Sequence, residues 1–210
     1  MIRVGLTQRV SVVEKYGERR DCLDQAWASL TQHLGCTPIP LFNRIDDVGR
    51  YLESIGVDAL ILTGGNDPHW LEGAVNPAPE RDAFETSALE HCMDNEIPVV
   101  GVCRGMQMIN AYFGGSMEKV KDHVAFHHRV TFSEGEFLPV TVNSYHNYGI
   151  SRKNTGDGLR VLGTADDGTV ELFSHEDLSV HGIMWHPERE SPSRDTDILL
   201  LRTILTGDRI

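Results

Sequence analysis

The first half of the chain alternates short apolar runs with amphipathic segments. Apolar runs of strand length stand at residues 2–7, 36–42, 57–63 and 97–102. Apolar residues at helical spacing occupy 18–34, 46–55 and 80–95, and a further helix directly follows residue 102. Because strands that alternate with helices are typical of parallel sheets, we predict an open α/β fold with helices on both faces.

The second half is richer in strands. Short apolar runs follow one another at residues 129–132, 138–143, 159–164, 169–173 and 180–185. Their close succession favours antiparallel pairing for part of this half, and a last helix is predicted over 195–205. No repeat or linker interrupts the pattern, so residues 1–210 are predicted to form a single domain.

The charge balance is acidic, because 19 Lys and Arg face 31 Asp and Glu and give a formal net charge of -12. This argues against broad nucleic-acid binding, although a local basic pocket can still hold a small anion. No apolar run reaches the length of a membrane span, and the first residues lack the pattern of a signal peptide. We therefore expect a cytoplasmic protein without a membrane or nucleic-acid partner.

The chain has four cysteines, which are expected to be free thiols in a reducing compartment. The four are Cys22, Cys36, Cys92 and Cys103. They form no C-x-x-C pair, and no Cys/His group has zinc-finger spacing, so free thiols are expected. Cys22, Cys36 and Cys92 are interpreted as small buried residues in or near helices. Cys103 needs a different explanation.

Cys103 stands between two glycines, Gly101 and Gly105, where a strand gives way to a helix. In that context the G-x-C-x-G pattern is typical of a nucleophile on a sharp turn, with glycines where other side chains would collide. The helix N-terminus favours a thiolate, and the N–H of Arg104 points to where an oxyanion would form. A buried cysteine in a glycine-rich turn is the alternative, but the placement favours catalysis.

A histidine and an acid follow the strand at 180–185. His186 ends this strand, and Glu188 is placed to orient the imidazole, with Pro187 stiffening the link. Ligands of open α/β sheets bind at the carboxyl ends of the strands, where His186 is expected. A surface turn would be the structural explanation if Cys103 were absent. The glycines of "LTGGNDP" at 62–68 would let backbone N–H groups approach a reacting carbonyl.

These features, in this order, resemble the class I glutamine amidotransferase-like superfamily, which carries a Cys-His-Glu triad on a flavodoxin-like sheet. The resemblance covers nearly the whole chain. The segments that are similar to its γ-glutamyl hydrolase branch, peptidase family C26, are "RDAFE", "GVCRGMQMIN", "GGS", "VNSYHN", "DGTVE" and "WHPE". The resemblance implies hydrolysis of a γ-glutamyl amide through a thioester, without a metal or an organic cofactor.

The resemblance also implies roles for individual residues. Cys103 would be the nucleophile, His186 the general base and then acid, and Glu188 the orienting residue. The oxyanion hole would use the N–H groups of Gly65 and Arg104. The implied substrate-binding residues are Gly64, Asn66, Gln107, Asn143, Ser144 and His146. A turn cap at Gln107 and a plain loop at 142–147 are the structural alternatives.

The chain departs from that branch in lacking the longer proline- and tyrosine-containing insertion after "GGNDP" and in being shorter. The leaving-group side of the pocket should therefore differ. The N-terminal pattern is similar to a shorter subgroup that includes the γ-glutamyl-CDP-amidate hydrolase of capsular phosphoramidate synthesis. That resemblance implies release of glutamate and cytidine diphosphoramidate, with a γ-glutamyl-γ-aminobutyrate-type substrate as the alternative.

A diphosphate leaving group needs cations, and the chain has a basic tract at 119–129. The candidate phosphate-binding residues are Arg19, Lys119, Lys121, His127, His128 and Arg129, with His123, Arg9 and Arg20 nearby in the sequence. Charge runs are more often solvated surface, so this argument is weaker than the argument for the triad.

Two further functions stay open from the sequence. A glutaminase subunit that feeds ammonia to a separate synthase would share every catalytic residue and would require that partner. A non-catalytic binding protein is disfavoured because the cysteine, histidine and glutamate are all present. A chaperone or protease with a similar turn is disfavoured by the "HPE" and "NSYHN" segments. The sequence is compatible with a homodimer and does not identify its face.

Overall fold

A computed structural model describes residues 1–133, 139–208 and 210. Its strands up to the middle of the chain are β1 Arg3–Leu6, β2 Arg9–Val13, β3 Glu18–Cys22, β4 Thr37–Pro40, β5 Ala59–Leu62, β6 Val99–Val102 and β7 Glu118–Lys119. The later strands are β8 Val124–Phe132, β9 Val140–Tyr145, β10 Tyr148–Gly149, β11 Leu159–Ala165, β12 Val170–His175 and β13 Val180–Ile183. The α-helices are α1 Ala26–Leu34, α2 Val48–Ile55, α3 Pro79–Asp94, α4 Arg104–Tyr112 and α5 Asp195–Leu205.

One large sheet runs through the described residues in the order β4-β1-β5-β6-β13-β12-β11-β8-β9. The pairs from β4 to β13 are parallel, and the pairs from β13 to β9 are antiparallel. Strand β13 therefore joins the two parts, because it pairs in parallel with β6 and antiparallel with β12. This is the predicted mixed architecture, with a parallel first half and antiparallel strands in the second.

Alternate residues of the parallel strands face two apolar cores. In β5, Ala59 and Ile61 belong to the core under α1 and α5, whereas Leu60 and Leu62 belong to the core under α2, α3 and α4. This alternation explains the continuous apolar run, since helices cover both faces of a parallel sheet. Among the described residues, no helix is both long and apolar enough to cross a membrane.

The predicted helix over 18–34 is wrong in its first part. Glu18–Cys22 is strand β3, which forms a hairpin with β2 through pairs such as Arg9 with Cys22. Cys22 therefore lies in a strand and is only partly buried. Helix α1 begins at Ala26, whose N–H donates to the Asp24 carboxylate at 3.0 Å. Strand β3 pairs with β2, which ends at Val13 only a short turn earlier, and this pairing overrides the helical spacing of 18–25.

The other predicted elements agree with the structure apart from their ends, whereas β2, β7 and β10 were not predicted. Helix α5 has the predicted bounds, and α2 begins two residues later than predicted because Asp47 caps it by accepting a hydrogen bond from the N–H of Arg50 at 3.0 Å. Strand β8 begins earlier than the predicted run at 129–132. The start of the predicted run at 138–143 falls on Leu138, which lies outside the described residues.

Candidate active site

Cys103 occupies the turn between β6 and α4. Its backbone has φ 53° and ψ -104°, a left-handed region that a residue with a Cβ rarely adopts. Its N–H donates to the Ile183 carbonyl at 2.8 Å, and its own carbonyl accepts from the N–H of Gln107 at 3.1 Å. The turn is thus fixed on both sides, and the thiol is presented at the N-terminal end of α4.

The two flanking glycines are required by close backbone contacts. A Cβ at Gly101 would overlap the backbone of Gly105, and a Cβ at Gly105 would overlap the Leu62 carbonyl at the end of β5. Any side chain at either position would therefore push α4 away from the sheet. Steric exclusion is the physical basis of the G-x-C-x-G pattern in this chain.

His186 and Glu188 follow β13, the parallel neighbour of β6. The Nδ1 atom of His186 lies 2.7 Å from Oε1 of Glu188, so that Nδ1–H donates to the carboxylate and Nε2 is left for Cys103. Burial alone lowers the pKa of His186, but the charge of Cys103 and a hydrogen bond to it, together with Glu188, raise it to about 9. All three side chains are buried.

The glycine pair Gly64–Gly65, which follows β5, lies next to the His186 side chain. A Cβ at Gly64 would lie 2.8 Å from Cε1 of His186 and 3.7 Å from the Cβ of Cys103. Gly65 has φ 90°, and the side chain of Arg9 packs against it. Gly64 therefore lies beside both His186 and Cys103, whereas the nearest neighbour of Gly65 is Arg9, and the oxyanion role of Gly65 and Arg104 stays a prediction. The N–H of Arg104 is the first of α4, and first-turn N–H groups have no partner within their own helix.

Arg81 on α3 holds the Gly64–Gly65 loop in place. Its guanidinium donates to the carbonyls of Thr63 at 2.6 Å, Gly64 at 3.1 Å and Gly65 at 2.9 Å. A single buried cation therefore fixes three successive carbonyls, which orients the N–H groups on the other side of those peptides. The "RDAFE" segment contributed to the family resemblance, but its positioning role was not predicted.

Arg81 belongs to a buried group of four charges. It pairs with Glu85 at 2.8 Å, while the side chain of Arg104 pairs with both Asp82 and Glu85. Burial lowers the pKa of both guanidiniums to about 9, which leaves them charged at neutral pH. The two arginines and two carboxylates lock α3 to the start of α4, so the residue after the nucleophile is held by its side chain.

The candidate substrate-binding side chains are mostly committed to internal hydrogen bonds. Asn143 fixes the backbone of His186, accepting from its N–H at 2.9 Å and donating to its carbonyl at 2.8 Å. Asn66 bonds the N–H and carbonyl of Val10, which ties the β2–β3 hairpin to the glycine loop. The geometry of Asn143 and Asn66 is therefore that of positioning residues.

The other candidates connect the site to the second half of the sheet. Gln107 donates to the Tyr148 carbonyl at 2.8 Å, and Nδ1 of His146 lies 3.0 Å from the same oxygen. The Ser144 hydroxyl donates to the carbonyl of His123 at 2.7 Å. Gln107 thus lies one helical turn from Cys103, with its amide nitrogen already bonded to the loop after β9.

The pocket beside His186 has its own cations. It is lined by Arg9, Cys22, Leu23, Asp24, Trp27, Thr63, Gly64, His186, Glu188 and Arg189. The guanidinium of Arg189 lies 4.6 Å from the centre of the Tyr145 ring, which meets the His186 ring edge-on at 5.8 Å. Arg9 stood among the basic residues noted in the sequence, whereas Arg189 was missed. The position of Arg189 directly after "HPE" was the available signal.

The predicted phosphate-binding residues are dispersed. Arg19 pairs with Glu80 at 2.5 Å, and the Lys119 ammonium lies 5.9 Å from the centre of the Tyr148 ring. The other four, Lys121, His127, His128 and Arg129, line an open pocket that they share with Asp122, Asp166 and Asp167. These six residues do not form one cationic group, and their role in phosphate binding stays a prediction.

The Peptidase C26 family model matches residues 4–188 of the chain, which include the cysteine turn and the histidine–glutamate pair. The chain is 36% identical over 199 residues to the γ-glutamyl-CDP-amidate hydrolase of Campylobacter jejuni, covering 93% of this chain and 94% of that protein. It is 31% identical to a glutamine amidotransferase-like protein, YvdE, of Lactococcus lactis, covering 78% of this chain and 79% of that one.

Solved structures share the fold at lower identity. A protein assigned as part of a GMP synthase, from Thermoplasma acidophilum, has a TM-score of 0.71 and 21% identity, covering 99% of this chain and 94% of that one. A glutamine amidotransferase from Thermotoga maritima has a TM-score of 0.66 and 15% identity, covering 96% and 82%. At these identities the likeness establishes the fold alone.

Proposed function

Because the chain belongs to the Peptidase C26 family, we propose that it hydrolyses a γ-glutamyl amide bond and that γ-glutamyl-CDP-amidate is its substrate. The observation that carries the proposal is Cys103, held on left-handed backbone at the start of α4, beside an imidazole that Glu188 orients at 2.7 Å. Similarity to the Campylobacter jejuni enzyme over nearly the full length of both chains supports the substrate.

In the first half of the reaction, the Cys103 thiolate attacks the γ-carbonyl carbon of the glutamyl group. The carbonyl oxygen becomes an oxyanion, which accepts hydrogen bonds from the N–H groups of Gly65 and Arg104. His186, protonated because its pKa is raised to about 9, donates its proton to the departing nitrogen. The C–N bond breaks, the amidate leaves, and a glutamyl thioester remains on Cys103.

In the second half, the neutral His186 accepts a proton from a water molecule that attacks the thioester carbonyl. The tetrahedral oxyanion uses the same two N–H groups, and its collapse returns the thiolate and releases glutamate. Glu188 keeps the imidazole in one orientation through both halves, so Nε2 alone exchanges protons with Cys103, the leaving group and water.

The leaving group would extend toward Arg9 and Arg189. Both arginines line the pocket beside His186, together with Asp24 and Glu188, and a diphosphate carries the negative charge that guanidiniums bind. A γ-aminobutyrate leaving group carries a single carboxylate, so it would engage less of the positive charge of Arg9 and Arg189. The two cations thus favour the nucleotide-linked substrate over the aminobutyrate alternative.

We place the reaction in the cytoplasm and in the supply of phosphoramidate for a capsule polysaccharide. The four cysteines are free, which is the usual state of thiols in a reducing compartment. The chain would act alone on a small γ-glutamyl substrate, while a homodimer or a synthase partner stays open.

The test is a comparison of three substrates with the purified full-length chain and no added partner. Glutamate release is measured with γ-glutamyl-CDP-amidate, γ-glutamyl-γ-aminobutyrate and glutamine, and Cys103→Ala protein serves as the control. The proposal expects a kcat/KM for the CDP compound at least about 100-fold above the other two, a difference of about 2.7 kcal/mol.

Preference for the aminobutyrate compound would refute the nucleotide substrate and keep the hydrolase. Turnover of glutamine alone, rising when a synthase is added, would establish the glutaminase alternative. Failure with all three substrates by a folded protein would refute a stand-alone hydrolase.

A further inference from the structure

A second cluster of reactive side chains lies in the antiparallel half of the sheet. His123 precedes β8, His146 follows β9, and Glu171 lies in β12. The Nδ1 atom of His123 is 3.1 Å from Nε2 of His146, and Oε1 of Glu171 is 4.0 Å and 3.6 Å from these two nitrogens. All three residues are buried, and the proposed hydrolysis uses none of them as an acid, base or nucleophile.

The hydrogen bonds of the two rings fix their tautomers. Nδ1 of His146 faces the Tyr148 carbonyl at 3.0 Å, and because a carbonyl only accepts, that nitrogen carries the proton. Nε2 of His123 faces the Asp167 carboxylate at 2.9 Å and carries the proton for the same reason. In their neutral forms the two rings therefore point lone pairs at each other across 3.1 Å.

Two facing lone pairs beside a buried carboxylate favour a positive charge between them. Both oxygens of Glu171 are buried, and neither accepts a hydrogen bond of good geometry from any described residue. Oε2 lies 3.3 Å from Nε2 of His128, at ion-pair distance, which leaves Oε1 turned toward His123 and His146. A buried carboxylate is costly unless positive charge lies beside it, so the arrangement favours a bound positive charge.

A bulge in β8 brings His123, which directly precedes the strand, and His128 within it to one face. Strand β8 pairs with β9 through His128–Val142 and Phe126–Ser144, but Ala125, with φ 55°, has no partner in β9, and the next pair is Val124–Tyr145. His123 consequently bonds His146, whose N–H donates to its carbonyl at 3.0 Å. Without the extra residue, positions 123 and 128 would face opposite sides of the sheet.

We propose that His123, His146 and Glu171 bind a divalent transition-metal ion of the zinc class. The donor set of two imidazole nitrogens and one carboxylate oxygen is a zinc ligand set, with His128 or water available for a fourth position. The separations of 3.1, 3.6 and 4.0 Å bracket the edge of about 3.3 Å expected for a tetrahedron with bonds of about 2.0–2.1 Å. The bonds to Tyr148 and Asp167 are the outer contacts that orient metal-binding histidines.

The ion would stabilise the loop that supports the first site. The Tyr148 carbonyl accepts from both His146 and Gln107, and Gln107 is one turn from Cys103. Metal binding to His146 would therefore hold the Tyr148 carbonyl in place, and this carbonyl in turn fixes the side-chain amide of Gln107. Its role is structural, and the ion takes no part in cleaving the amide bond. The side chains of His123 and His128 also line an open pocket, which offers the ion a path of entry.

The experiment uses full-length Cys103→Ala protein, because Cys103 and His186 could otherwise bind zinc themselves. The protein is stripped with a chelator and titrated with Zn²⁺ by calorimetry, and Co²⁺ absorption reports the geometry. We expect about one ion per chain, a Kd of about 1 μM or tighter, tetrahedral Co²⁺ bands, and a Tm raised by about 5 °C at saturation.

Variants in the same background locate the ion. His123→Asn and Glu171→Gln should each weaken Zn²⁺ binding by about 100-fold, whereas His33→Asn, a change at an exposed histidine, should leave the Kd unchanged. If Glu171→Gln does not fold, His123→Asn decides alone. Absence of saturable binding, which a shared proton between the rings would produce, overturns the proposal. Binding that His123→Asn leaves within about 2-fold overturns it as well.

Discussion

The parallel and antiparallel parts of the sheet assemble their chemistry in different ways. In the parallel part, Cys103 and its flanking glycines occupy five consecutive residues of one turn. In the antiparallel part, His123, His146 and Glu171 come from three separate segments and meet only through strand pairing and a bulge. The two parts join at β13, which presents His186 and Glu188 to the cysteine.

The difference teaches which chemistry can be found in a sequence. A strained turn needs particular residues at fixed local spacing, because the backbone contacts that exclude side chains are only a few residues apart. A cluster built across strands needs no local spacing at all. Its sequence shows only isolated histidines and a glutamate, each of which is also consistent with an ordinary structural role.

The largest expected effect is at the nucleophile. Cys103→Ala should lower kcat for γ-glutamyl-CDP-amidate by at least about 10⁴-fold, because no other group can form the thioester. The matched control is Cys36→Ala, since both cysteines are 7% exposed and belong to the same apolar core. Glutamate release by Cys36→Ala should match the unchanged protein. Equal losses in both variants would assign Cys103 a packing role.

The next effect concerns the fold of the turn. Gly105→Ala should lower the free energy of unfolding by about 3 kcal/mol or more, because the new Cβ overlaps the Leu62 carbonyl. Gly114→Ala is the comparison, since Gly114 has φ 81° and open space around it, and should cost only about 1 kcal/mol. Urea unfolding measures both, and equal midpoints would contradict the steric explanation of the motif.

The pH dependence reports the Cys103–His186–Glu188 contacts. With its pKa raised to about 9, His186 should give kcat/KM a basic limb near pH 9, where the general acid loses its proton. Glu188→Gln removes one cause of the raised pKa and should shift that limb toward neutral pH. A limb that stays at the same pH in the variant would mean that Glu188 does not act on His186.

The same raised pKa has a consequence for stability. Because the pKa of His186 in the folded chain, about 9, lies above its ordinary 6.5, the charge interaction stabilises the fold fully below pH 6.5. Its contribution is lost as the pH rises through about 9. Unfolding midpoints measured from pH 6 to 10 should therefore fall less in Cys103→Ala protein than in the unchanged chain, because the variant lacks the Cys103 interaction that raises the pKa of His186.

The smallest expected effect separates the two sets of cations. Arg9→Ala and Arg189→Ala should each raise KM for γ-glutamyl-CDP-amidate by about 10-fold, because both residues line the pocket beside His186 and guanidiniums bind phosphate. Lys119→Ala should change KM by less than about 2-fold, since its exposed ammonium lies over the Tyr148 ring. The reverse ranking would place the diphosphate at the basic tract of 119–129.

Local patterns predicted much of the parallel half. The apolar runs predicted β5 and β6, and the alternation of Gly101, Cys103 and Gly105 predicted the turn, because neighbouring residues determine each of these features. The helix predicted over 18–34 failed because β3 is stabilised by pairing with β2. The buried charges of Arg81 and Glu85 could not be assigned a position from the sequence, since the carbonyls that Arg81 holds lie in another loop.

The most direct measurement is the intact mass of the protein mixed rapidly with γ-glutamyl-CDP-amidate and quenched in acid. We expect a transient mass increase equal to one glutamyl group, located on Cys103 by peptide mapping and absent in Cys103→Ala protein. Glutamate release without this adduct, continuing in Cys103→Ala protein, would contradict thioester catalysis at the turn between β6 and α4.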